Sequence, residues 1–196
     1  MSPLTIGVLA LQGAYDVHAK ALTSLGAVPR LVRRPEELEG LDGLILPGGE
    51  STTILKFLER DNFFEALDAF VKETPTFGTC AGCILLAKDV NHPAQKSFAA
   101  LDIAVERNAY GRQNDSKILF EPTTLAGGPL EMVFIRAPRI NRVGADVEVL
   151  AEREEHPALV RSGHLLAATF HPELGSDVRV HQLFLDMVRE HKDGRG

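Results

Sequence analysis

An α/β fold with a mostly parallel central sheet and an antiparallel extension is predicted by three features of this 196-residue sequence. Its first half alternates short apolar runs with segments of helical spacing, the signature of a parallel sheet covered on both faces. From about residue 97 to 171 the segments are strand-like, with little helix between them. One amphipathic helix closes the chain.

"LTIGVLAL" (4–11) is continuous, apolar and partly β-branched, as a buried strand requires. Residues 15–25 have helical spacing and meet Gly26, a C-cap residue. "VPRLVRR" (28–34) gives a second strand, "PEELEG" a proline-opened turn of helix, and "DGLILP" (42–47) a third strand that runs into "GGEST". One or two amphipathic helices fill 53–73, "PTFGT" (75–79) is a fourth strand, and "AGCILLAKDV" (81–90) the helix after it. "ALDIAVERN", "KILFEP", "EMVFIRAP", "VEVLAER", "PALVRSG" and "HLLAATFHPE" follow as strands, and 176–192 as the last helix. No repeat, low-complexity tract or linker interrupts this, so residues 1–196 are expected to form a single domain.

Lys plus Arg is 21 and Asp plus Glu is 27, a net charge of −6. That balance argues against nucleic acid as a partner, because a phosphate binder presents a basic surface. No apolar run reaches membrane-spanning length, and "MSPLTIGVLALQG" lacks the basic flank of a signal peptide. Two cysteines make no secreted disulfide framework, so a reducing cytoplasmic setting is expected.

Those cysteines, Cys80 and Cys83 in "FGTCAGCILL", could be a redox pair, part of a zinc site, or one nucleophile with a bystander. Zinc needs about four ligands, and no second C-x-x-C or H-x-x-x-H motif is present. A thioredoxin-like pair also sits at a helix start, but it gives the glycine-rich loops elsewhere no role. "GTCAG" is Gly-x-nucleophile-x-Gly between a predicted strand and helix, the context of a nucleophile on a strained turn. A helix N-terminus there favours the thiolate. Cys83, followed by Ile84, Leu85 and Leu86, reads as a small buried apolar side chain.

A nucleophilic cysteine needs an imidazole to move protons and a carboxylate to orient it. "TFHPEL" supplies His171 and Glu173 around one rigid proline. In "LILPGGEST", Gly48 and Gly49 let backbone amides point at a developing oxyanion, while Ser51 or Thr52 can cap the next helix. It is not a phosphate loop, since the Gly-Lys-Ser/Thr ending is missing.

"PGGEST", "FGTCAG" and "FHPE", in this order, resemble the class I glutamine amidotransferases, with a three-layer, flavodoxin-like fold and a Cys-His-Glu triad. "LQGAYDVH", "VERNAYGRQ" and "FIRAP" narrow the resemblance to the glutaminase subunits of pyridoxal 5′-phosphate synthases, over nearly the whole chain. The resemblance implies Cys80 as nucleophile, His171 as general base and acid, and Glu173 as its partner. It implies Gly48 and Gly49 in the oxyanion loop, with Gly49, Glu50, Ser51, Arg107, Ile135 and Arg136 contacting L-glutamine. The family usually has a larger apolar residue where Cys83 stands. No metal or cofactor is implied. Ammonia would pass to a separate synthase subunit making pyridoxal 5′-phosphate, with activity weak alone and stimulated by that partner. "LQG" is the expected partner sensor. Another acceptor, of the imidazole-glycerol-phosphate type, or a cysteine hydrolase or redox protein on a related fold, are the alternatives.

Overall fold

Continuous burial marks the central strands, whose side chains are covered on both faces of the sheet. The structure, a computed structural model, describes residues 2–109 and 116–194, so Tyr110, Gly111, Arg112 and Gln113 of "VERNAYGRQ" lie outside the described residues. The strands β1 (Thr5–Leu9), β2 (Val28–Val32), β3 (Gly43–Leu46) and β4 (Thr76–Thr79) alternate with helices. Helix α1 (Tyr15–Ser24) follows β1; α2 (Ser51–Leu58) and α3 (Phe63–Glu73) follow β3; α4 (Ala81–Leu86) follows β4. Then come β5 (Ala87–Asn91), β6 (Leu101–Glu106), β7 (Lys117–Glu121), β8 (Leu130–Phe134), β9 (Arg139–Val143), β10 (Glu148–Arg153), β11 (His156–Ser162), β12 (Leu165–Ala168) and α5 (Arg179–Asp193).

The main sheet runs β10-β11-β12-β4-β3-β1-β2. Every pair from β12 to β2 is parallel, and β11 and β10 are added antiparallel. Ile6, Val8, Ile45, Phe77, Leu166 and Ala168 pack with Leu22 of α1 and Phe184, Leu185 and Val188 of α5. Leu9, Leu44, Leu46, Leu165 and Ala167 pack with Ile54, Leu58, Leu67 and Ile84 of the helices that follow β3 and β4. Two apolar faces on one sheet make three layers, and full burial of each large side chain contributes about 1.5–3 kcal/mol.

Several expectations are refined. Residues 53–73 form two helices, because Asp61 and Asn62 take left-handed φ of 57° and 55°, a conformation these short polar residues tolerate. The predicted helix 81–90 stops at Leu86; residues 87–91 become β5 because they pair with β6. "EMVFIRAP" is not one strand: β8 ends at Phe134, Arg136 has φ 46°, and an unanticipated strand, β9, pairs with β6. The antiparallel pairing is spread over β10–β11–β12, the β6–β9 pair and the β7–β8 hairpin, while β5 joins β6 in parallel. β12, expected within that extension, instead joins the parallel part beside β4. This last difference builds the site.

Candidate active site

Four strand ends meet at one edge of the sheet. In parallel register Ala168 of β12 lies opposite Thr79 of β4, so the residues just beyond both strands emerge side by side. The first of them after β4 is Cys80, with φ 48° and ψ −103°, a strained conformation for a residue with a Cβ. Its N–H donates to the carbonyl of Ala168 at 2.9 Å, which holds the turn to the neighbouring strand. The predicted strained strand-to-helix turn at Cys80 is therefore present. Cys80 is 7% exposed. Cys83, one turn along α4, is fully buried, and burial, reinforced by the charge at Cys80, pushes its thiol far above the ordinary range.

His171 follows β12 and donates its backbone N–H to the Val133 carbonyl at 2.8 Å. Pro172 opens a single 3-10 turn, Pro172–Leu174, that brings Glu173 back onto the ring. His171 Nδ1 lies 2.8 Å from Glu173 Oε1, and the imidazole also hydrogen-bonds Cys80. Burial works against charge on His171, but the hydrogen bonds to Cys80 and Glu173, with their negative charge, raise it to about 10. Burial likewise opposes charge on Glu173, yet the His171 hydrogen bond and the neighbouring histidines hold its carboxyl below the usual range. A buried imidazolium clamped between carboxylate and thiol is the form that stabilises a thiolate.

Gly48, beyond β3, lies directly against this pair. A Cβ there would overlap the His171 ring and come within 3.3 Å of the Cys80 Cβ, so the loop approaches only because it has none. The same loop is tied to the start of α1. Glu50 N–H donates to Gln12 Oε1 at 2.7 Å, and Ala14 N–H donates to the Gly48 carbonyl at 3.3 Å.

The space in front of Cys80 is a cavity of about 380 Å³. Cys80, His171, Gly49, Glu50, Ser51, Arg107, Ile135 and Arg136, all singled out from sequence, line it together. Gly48 and Glu173 stand behind that lining. Ser51 is buried and donates to Gln95 Oε1 at 2.8 Å, so its hydroxyl is held at the cavity wall. Arg107 is half-buried, and its guanidinium lies a long 3.5 Å from the Pro93 carbonyl. Sequence reasoning did not identify Ile84, Asn108 and Pro138 as lining, nor Gln12 as the group that grips the loop. Gln12 was legible as part of "LQG", the expected partner sensor at the carboxyl end of the first strand, where open α/β sheets place their ligands. Among the described residues no group of three or more His, Cys, Asp or Glu is placed to hold a metal ion.

The chain is similar to known proteins over nearly its whole length. The model of the SNO glutamine amidotransferase family matches residues 8–190. A Koribacter versatilis protein named pyridoxal 5′-phosphate synthase subunit PdxT is 59% identical, over 97% of this chain and 99% of its own length. The Solibacter usitatus protein of the same name is 53% identical, over 93% and 98%. A crystal structure of a glutamine amidotransferase, 46% identical, superposes with a TM-score of 0.86 over 93% of this chain and 98% of the other.

Proposed function

The chain belongs to the SNO glutamine amidotransferase family, and on that premise we propose that Cys80, His171 and Glu173 are the triad of a glutaminase that supplies ammonia to a pyridoxal 5′-phosphate synthase. The chain is a glutamine amidotransferase of the enzyme type its family names. The observation that carries the triad is the Glu173–His171–Cys80 chain of contacts, with its 2.8 Å carboxylate–imidazole bond, at one wall of the cavity.

The Cys80 sulfur attacks the side-chain amide carbon of L-glutamine, forming a C–S bond and a tetrahedral oxyanion. The Gly48–Gly49 loop and the N–H of Ala81, the residue after the nucleophile, are the oxyanion donors. His171 gives its proton to the departing nitrogen, the C–N bond breaks, and ammonia leaves a γ-glutamyl thioester. His171 then takes a proton from water, hydroxide adds to the thioester, and glutamate is released from a regenerated thiolate. Glu50, Arg107 and Arg136, on the walls of one cavity, suit the ammonium and carboxylate of the substrate, and Ser51 and Ile135 complete its wall.

Ammonia released into water becomes ammonium, a poor nucleophile, so it must pass directly to an acceptor site. The PdxT relatives are named as synthase subunits, which supports a separate synthase chain as that acceptor and disfavours one of the imidazole-glycerol-phosphate type. The whole chain then serves as one glutaminase domain, in a reducing cytoplasm that keeps Cys80 a free thiol. Partner dependence has a physical route. Gln12 of "LQG" holds Glu50 N–H, so a partner docking on that segment can reset the oxyanion loop.

The test is ammonia release from glutamine by the purified chain, with and without the synthase subunit. Release should be weak alone, rise at least about tenfold with the partner, and vanish in Cys80→Ala. Turnover that survives in C80A removes the nucleophile assignment, and equal rates with and without the partner remove the coupling.

A further inference from the structure

Behind the triad, on the side away from the cavity, two more histidines are buried. His18 of α1 is 0% exposed and His181 of α5 is 1% exposed. His18 Nδ1 lies 2.9 Å from His181 Nε2. His18 Nε2 lies 3.2 Å from Thr79 Oγ1 and 3.4 Å from Glu173 Oε2. One imidazole thus touches the residue before the nucleophile, the triad carboxylate, and the last helix. Phe77 packs edge-on against both rings, at 6.4 Å and 6.0 Å between centroids. The α1 and α5 faces beside them are otherwise apolar. Two polar rings in such a layer cost stability unless their hydrogen bonds are satisfied.

We propose that His18 is a positioning residue of the active site, a neutral imidazole that donates from Nε2 toward the second carboxylate oxygen of Glu173 and is itself held by a hydrogen bond from His181. This rests on the triad reading above and deepens it.

Burial lowers His18 to about 4, against the pull of Glu173 and with the help of the charge on His171; burial and His18 lower His181 to about 3. Those are the titratable groups that face the pair, from α1, α5 and the Pro172–Leu174 turn; β4 contributes uncharged Thr79 and Phe77. Each ring is therefore neutral, with one N–H and one lone pair. Two tautomer chains are then available. In one, His181 Nε2–H donates to His18 Nδ1, and His18 Nε2–H donates to Thr79 Oγ1 while facing Glu173 Oε2. The atom left over is a lone pair on His181 Nδ1, which has no hydrogen-bond partner among the described residues. In the other, His18 Nδ1–H donates to His181. A bare Nε2 lone pair then faces a carboxylate, and His181 Nδ1–H becomes an orphaned buried donor. Orphaned donors are rarer than under-satisfied acceptors, and lone pair against carboxylate is repulsive, so the first chain wins.

The consequence for the site follows from which oxygen does what. Glu173 Oε1 bonds His171, while Oε2 has no hydrogen-bond partner among the described residues; His18 Nε2 at 3.4 Å is the polar group that faces it, and its attraction is what restrains that oxygen. A carboxylate held at both oxygens keeps Oε1 on the imidazole through the proton transfers. A neutral donor does this without competing for the charge; a protonated His18 would draw Glu173 away from His171.

The tautomer can be read without any mutation, from long-range nitrogen–proton correlations of the histidine rings in the isotope-labelled full chain near neutral pH. His18 should carry its proton on Nε2; a proton on Nδ1, or a cationic ring, overturns the proposal. Kinetics with the synthase subunit bound give the second readout. His18→Leu should lower kcat about tenfold with KM nearly unchanged. It should also move the alkaline limb of the kcat profile to lower pH by roughly half a unit or more, because a looser Glu173 holds the His171 proton less well. His18→Gln, whose amide nitrogen reaches toward the position of Nε2, should recover most of both effects. A His18→Leu enzyme with the wild-type kcat and alkaline limb, or a folded His18→Gln enzyme no better than His18→Leu, overturns the positioning role. Wild-type glutamine turnover separately tests the triad reading: if it is absent, that reading fails while the tautomer result still decides this one.

Discussion

At the scale of single residues, Glu173 divides its two oxygens between two histidines with opposite tasks. His171, raised to about 10, keeps a proton at neutral pH, whereas His18, lowered to about 4, does not. The difference is environmental: at His171 the hydrogen bonds to Cys80 and Glu173 outweigh burial, whereas at His18 burial outweighs the pull of Glu173. Glu173→Gln keeps the shape and removes the charge. It should cut kcat by about a hundredfold or more and move the alkaline limb of the pH profile down, since His171 loses one of the groups that raise it. Steady-state rates across pH check this, and an unshifted alkaline limb would mean that Glu173 only fills space. Cys80, His171 and Glu173 were legible in the sequence because acyl transfer restricts which side chains can do the work. His18 and His181 were not, since an isolated histidine in a helical segment has no signature of its own.

At the scale of elements, the elbow depends on backbone packed against backbone. A Cβ on Gly82 of α4 would overlap the Leu46 carbonyl of β3, and one on Gly78 would strike the Gly82 carbonyl. With no side chain between them, α4 lies directly on the strands, and Cys80 is forced into its strained turn. Gly82→Ala should therefore destabilise the fold by about 1–3 kcal/mol and reduce turnover more than it reduces stability would suggest, because the elbow shifts with α4. Urea unfolding and kcat, measured on the same preparation, test this; a wild-type midpoint and rate would show that α4 can move freely. The small residues around Cys80 were visible in "GTCAG". Where α4 ends was not, because residues 87–91 become a strand only through pairing with β6, a partner ten or more residues away in sequence.

At the scale of the whole molecule, buried neutral histidines make the fold acid-sensitive. In the unfolded chain His18 and His181 bind protons below their ordinary value of 6.5; in the folded chain they bind them only near 4 and 3. The unfolded state thus holds more protons over that interval, and stability falls as pH drops below about 6.5, by up to roughly 1.4 kcal/mol per pH unit for each histidine. Glu173 and Asp177, whose carboxyls are held below the usual range, add to the loss at lower pH. His171 has the opposite sign: its contribution is full below about 6.5 and is lost as pH rises through about 10. The urea midpoint should fall between pH 7 and 5, and in His18→Leu that fall should be shallower by about one proton's worth. A midpoint flat over this range would mean that the two rings are protonated in the folded state.

The sequence by itself determined the alternating parallel architecture, the three motifs and the candidates proposed as nucleophile, base and carboxylate. Those follow from local periodicity and from chemistry that only certain side chains supply. The tertiary structure decided that β12 pairs in parallel with β4, which sets His171 beside Cys80 although 91 residues separate them in number. It also decided that Gln12 grips the oxyanion loop and that His18 stands behind Glu173. Strand partners and buried polar contacts are non-local: their energy depends on what the rest of the chain brings alongside, and no short stretch of sequence encodes that.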